Sequence, residues 1–212
     1  MAKTKKPSVA ENKYPDITLR LVDYWDEFWR TVLGRQLTDA DLVLPASYRV
    51  GFSLPVIKPP DVTTQQAYDL TVGTELFSCW KFWDDLGVLK VEEEYLRAVD
   101  QATVVLIRPG VEPDTRVSYD QAVEQRLTFL GLGHRIILEP FGFWLNQAHS
   151  NEAEELGIPE HLDVVGWTRT PSLGPGGRVA NAGWNDARGR FWVDWSYRDS
   201  AGPGGGVRQA VC

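Results

Sequence analysis

Residues 190–197 read Arg-Phe-Trp-Val-Asp-Trp-Ser-Tyr, and their alternation decides the fold of the last quarter of the chain. Phe191, Val193, Trp195 and Tyr197 share one parity; Trp192, Asp194 and Ser196 share the other. A period of two is that of a strand, with one face apolar and buried and the other carrying an aromatic ring, a carboxylate and a hydroxyl. The flanks repeat the pattern in short pieces, Val164-Val165-Gly166-Trp167-Thr168 before and residues 206–211 after, separated by Gly, Pro, Asn and Asp. From about residue 162 this grammar predicts an antiparallel meander. The echo of GPGGRV at 174–179 in GPGGGV at 202–207 supplies two loops and is too short for a repeat architecture.

Toward the N-terminus the period changes. Leu21, Val22, Trp25, Phe28, Trp29, Val32 and Leu33 recur every three or four residues, predicting a helix with one apolar face that stops at Gly34. Residues 49–57 read as a strand ended by Pro59-Pro60, and 63–66 as a capped helix start running to about Leu76. A strand at 77–83, a short acidic helix near 92–100, a β-branched strand at 103–107 and a helix from Ser118 to about Leu130 follow. Residues 135–138 lead into Glu139-Pro140, where proline suits the first turn of a helix reaching about His149, and 150–161 read as an acidic linker. The expected fold is α+β: a polar arm at 1–20, then one domain at 21–212 in which N-terminal helices pack on mixed strands.

Composition excludes several classes. The 212 residues carry a net charge of −7, 43% hydrophobic residues and nine tryptophans, values of a folded globular chain. No apolar run approaches a membrane span, and MAKTKK has no apolar stretch behind it, so a cytoplasmic protein without a membrane partner is expected. Cys79, Cys212, His134, His149 and His161 form no metal-ligand spacing, and no metal or cofactor is expected. Phosphate-binding, dinucleotide, zincin and nucleophile-elbow motifs are absent. From Trp167 onward six arginines outweigh Asp186, Asp194 and Asp199, yet the overall negative charge opposes a nucleic acid partner.

Two chemistries compete for what remains. Cys79 with one of the histidines would make a hydrolase, although a lone cysteine in an aromatic strand is usually a small buried residue. The alternative is recognition. Trp, Tyr, Asp, Ser, Arg and Asn crowd 181–200, the composition of a paratope: rigid aromatic area, short hydrogen bonders and arginine anchors, Arg190 among them. The same composition also fits a purely structural Trp-rich β core.

The runs Gly166-Trp167-Thr168-Arg169, Gly177-Arg178-Val179, Gly183-Trp184-Asn185-Asp186, Phe191-Trp192-Val193-Asp194-Trp195 and Gly206-Val207-Arg208 resemble the final part of C-type-lectin-like domains of the formylglycine-generating type. They resemble still more the variable proteins of diversity-generating retroelements, which use that fold and concentrate their varied, ligand-facing residues in a C-terminal segment like 165–211 here. The resemblance implies that Trp184, Val193, Trp195 and the Gly-Val-Arg close are scaffold. It implies that Asn181, Gly183, Trp192, Asp194, Ser196, Tyr197, Asp199 and Ser200 are displayed, toward an unspecified protein or glycan ligand. Tyr197 falls on the buried parity unless the strand ends at Ser196. The calcium-site carboxylates of sugar-binding lectins are not visible, and only Cys212 stands where formylglycine-generating catalysis would need active-site cysteines. The resemblance therefore carries neither calcium nor catalysis.

Overall fold

The computed structural model describes residues 14–73, 78–91 and 101–212. The acidic helix expected near 92–100 and the expected end of a helix at Leu76 lie outside them.

Helix α1 (Asp16–Thr31) buries the expected stripe, with Leu21, Trp25, Phe28 and Trp29 inside. It starts within the residues read as an arm: Tyr14 and Thr18 are already buried. Asp16 in its first turn and Arg30 in its last complement the helix dipole. Two indole donors fasten it to strand β1 (Leu54–Ile57), Trp25 Nε1 to the Pro55 carbonyl at 2.6 Å and Trp29 Nε1 to that of Ile57 at 3.2 Å. The strand expected from 49 begins only at Leu54, because Gly51 turns the chain at φ +87°.

Helix α2 (Thr64–Gly73) has a reciprocal cap, Gln66 N–H to Thr63 Oγ1 and Thr63 N–H to Gln66 Oε1. Strands β2 (Ser78–Lys81), β3 (Lys90–Val91) and β4 (Val104–Ile107) follow. Helix α3 (Tyr119–Glu124) carries a second capping box, Ser118 with Gln121. It ends well short of Leu130, because Arg126 adopts φ +53° and Phe129 bridges to Gln209.

Helix α4 (Leu132–Ala148) corrects the reading of Glu139-Pro140 as a helix start: Pro140 is internal. A proline there deletes one backbone bond and costs stability in isolation, and burial of almost the whole helix offsets it. Its Phe141 stacks on Trp25 with ring centroids 3.8 Å apart. The expected linker at 150–161 contains helix α5 (Ser150–Leu156), which buries Ala153 and Leu156 and ends on Gly157 at φ +63°.

Strands β5 (Trp167–Gly174), β6 (Arg178–Asn185) and β7 (Arg190–Tyr197) form the antiparallel meander. Residues 205–211 leave it. β8 (Gly205–Val207) pairs in parallel with β5, and β9 (Ala210–Val211) crosses to a second sheet. The fold is thus α+β with a three-stranded sheet β1-β4-β9 and a six-stranded sheet β2-β7-β6-β5-β3 onto which β8 adds. No described helix is long and apolar enough to cross a membrane.

Candidate functional site

The register of β6 on β7 sorts the C-terminal residues into two faces. Ala180, Ala182 and Trp184 stand opposite Trp195, Val193 and Phe191, and this side faces the helices. The reverse face carries Asn185 opposite Arg190, Gly183 opposite Trp192, Asn181 opposite Asp194 and Val179 opposite Ser196. Two more strands extend it. β2 sets Trp80 beside Trp192, and β5, registered Thr168 to Ala182, brings Trp167 to Gly183. Trp80, Trp192, Gly183 and Trp167 therefore form one row across four strands, with Arg190 and Asn185 on one side of it and Asp194 and Asn181 on the other.

Burial differs along this face. Val179, Leu173 and Val207 lie under α3, packed with Tyr119, Ala122 and Phe129. The part with the tryptophan row stays open: Trp80 is 37% exposed, and Trp192, Asp194 and Ser196 are half-buried. Arg169, on the same face opposite Asn181 but fully buried, donates to the carbonyls of Val117 at 3.0 Å and Ser200 at 2.5 Å, holding two loops at the border of the open part. Its guanidinium occupies the space a side chain at Gly205 would need, and burial lowers its pKa.

The structure splits the expected ligand residues. Arg190, Trp192, Asp194 and Ser196 share the open face. Asn181 shares it too but is 2% exposed, with Oδ1 accepting from Ser196 Oγ at 3.4 Å, so it supports rather than displays. Gly183 is buried, and a Cβ there would meet the Gly166 carbonyl at 3.1 Å and the Asp163 carbonyl at 3.2 Å. A side chain there is crowded by both carbonyls. Asp199 is exposed in the loop after β7, and Ser200 is half-buried with its carbonyl committed to Arg169. Tyr197 does lie on the core-side parity as the last residue of β7, yet is 57% exposed. Trp195 is half-buried but packs against the main core: the Arg178 guanidinium covers it at 4.3 Å, with Phe82 at 5.7 Å and Tyr197 at 5.2 Å.

Trp80, Trp167 and Arg169 went unassigned at the sequence level. The alternation of Ser78-Cys79-Trp80-Lys81 held the parity of Trp80, but only strand pairing makes it a neighbour of Trp192.

Behind the meander lies a buried ion network. Asp163 accepts from Arg135 Nε at 3.0 Å, Arg208 Nη2 at 2.7 Å and Thr168 Oγ1 at 2.5 Å, and Arg135 Nη1 reaches Glu139 at 3.0 Å. At its rim His161 Nδ1 lies 2.9 Å from Glu139, with the imidazole stacked on Trp184 at 3.5 Å. Two arginines balance two carboxylates, and the network joins α4, the 157–166 segment, β5 and the Gly-Val-Arg close. Arg208 is thereby a clamp on the scaffold.

Cys79 lies beside the Tyr68 hydroxyl, and burial pushes its thiol up to about 12, so it stays protonated at neutral pH. No imidazole contacts it among the described residues. His134 is fully buried in α4; His149 packs tilted against Tyr24 and edge-on against Trp144. Among the described residues no three His, Cys, Asp or Glu are placed to hold a metal ion. Comparison with protein-family models, curated proteins and solved structures returns no match.

Proposed function

We propose that the protein is a recognition module: a C-type-lectin-like scaffold of the kind used by retroelement variable proteins, binding a ligand through the open face of its large sheet. The observation that carries this is the row Trp80, Trp192, Gly183 and Trp167 flanked by Arg190, Asn185, Asp194 and Asn181. Half-exposed tryptophans supply apolar area at low entropic cost, and Arg190, Asn185 and Asp194 supply orientation-specific hydrogen bonds, with Asn181 in support beneath them. The protonated Cys79 thiol favours this reading over a cysteine hydrolase.

A displayed surface must tolerate change without loss of the fold. Simultaneous randomisation of Arg190, Trp192, Asp194 and Ser196 on displayed protein should leave most clones folded and yield clones that bind new protein or glycan targets. Randomising Phe191 and Val193 should leave few folded. Equal loss of folded clones from both libraries would overturn the proposal. Diversification itself is read from the neighbouring DNA: a near-copy of the segment encoding 165–211, differing mainly at adenines, beside a reverse transcriptase gene supports it.

A further inference from the structure

We propose that the ligand is an extended polypeptide segment, which docks on the edge of β2 as the next strand of the large sheet, beside Trp80. This rests on the reading of the tryptophan row as the binding surface and names the class of its partner.

β2 stands at one end of the strand order β2-β7-β6-β5-β3. In its parallel register with β7, continued by the bond from Phe82 N–H to the Val193 carbonyl, the backbone groups of Trp80 and Phe82 turn toward β7. Those of Cys79 and Lys81 then point away from the sheet, and no backbone group pairs with them among the described residues. Such an edge is a template for another strand to the extent that shortness, proline, a bulge or charge does not guard it, and β2 is short at four residues. β2 contains no proline and its register runs without a bulge. Its one charge is held by the chain itself: Lys81 Nζ donates to the Asp84 carbonyl at 2.5 Å and Gln65 Oε1 at 3.3 Å, 4.6 Å from the Tyr68 ring centroid.

The side chains next to this edge say what the added strand would carry. Trp80 is the exposed end of the tryptophan row, so the residue facing it gains most by being aromatic or aliphatic. Arg190, one strand in from the edge on β7, opposite Ser78 and two residues before Trp192 on the same face, has no carboxylate partner among the described residues, within a segment of net positive charge from Trp167 onward. A carboxylate two positions along the ligand strand, toward Ser78, complements it.

The test pans the full chain against phage-displayed random dodecapeptides, then measures binding of the synthesised winners. The proposal expects peptides with an apolar and an acidic residue two positions apart. It expects backbone N-methylation of alternate residues in one phase to weaken binding about tenfold or more while the other phase has little effect, as loss of inter-strand hydrogen bonds requires. Lys81→Pro, which removes an unpaired N–H and is checked for folding by its melting temperature, should weaken binding similarly. Peptides that lose binding with Trp192→Ser but respond to neither N-methylation phase nor Lys81→Pro overturn the edge and leave the tryptophan face standing. Peptides indifferent to both Trp192→Ser and Trp80→Ser overturn the face itself. Recovery of no peptide overturns the proposal.

Discussion

Trp167 and Trp192 approach each other across Gly183, their ring centroids 6.3 Å apart and their planes tilted by 57°. β6 lies between their strands and contributes no side chain at that point, so the row of indoles is continuous because one residue in it is glycine.

Gly183→Ala should therefore cost about 1–3 kcal/mol, as overpacking does. The new methyl would press on the carbonyls of Gly166 and Asp163 and on Trp167 Cβ at 3.4 Å. Urea unfolding measures the loss, and a neutral substitution would show that the row has room to spread.

Along β7, Phe191→Ala should cost about 3–5 kcal/mol, since Phe191 is fully buried with the Arg135 guanidinium 5.0 Å from its ring centroid. Asp194→Ser is expected to stay within about 0.5 kcal/mol. Trp195→Ser should fall between them, because its indole is only half-buried. Thermal melts of the three variants read this order, and a loss at Asp194 equal to that at Phe191 would mean both faces are structural.

Asp163→Ala should be among the most damaging single changes. It leaves Arg135 and Arg208, both fully buried, without their shared carboxylate, at a cost of about 3–5 kcal/mol. Asp163→Asn keeps a residue suited to the φ of +59° there and isolates the charge effect. Equilibrium unfolding of both variants separates the two contributions.

His134 sets a pH dependence. Burial first, then the neighbouring Lys58 ammonium, lower its pKa to about 3 from an ordinary value near 6.5. Between those values the unfolded chain binds a proton that the folded one refuses, so stability falls as pH drops from about 6.5 toward 3. The slope reaches at most about 1.4 kcal/mol per pH unit from this group. Urea midpoints of the wild type and His134→Leu at pH 7, 6, 5 and 4 should diverge in that sense, the variant losing less.

Cys79 should resist alkylation in the folded protein at pH 8, while the exposed Cys212 is modified first. Mass spectrometry before and after denaturation counts the labels. Rapid modification of Cys79 in the native state would restore the case for a nucleophile.

The sequence by itself determined what a few neighbouring residues control. The parity of β7, the stripe of α1, the capped start at Thr63 with Gln66 and the helix start at Ser118 arise from backbone period and from hydrogen bonds spanning three or four positions, and these are present as read. Tertiary structure decided the rest. Trp80 meets Trp192 over a separation of more than a hundred residues, and nothing local to either names the other. Burial on nearly every side allowed Pro140 to stay inside α4, overriding the local preference for a helix start there. Asp163, Arg135 and Arg208 lie far apart in the sequence, and only packing removed water from all three and obliged them to neutralise one another. Which part of the strand face remains open was likewise fixed by where α3 lands, and that depends on chain closure over long loops that residue periodicity does not encode.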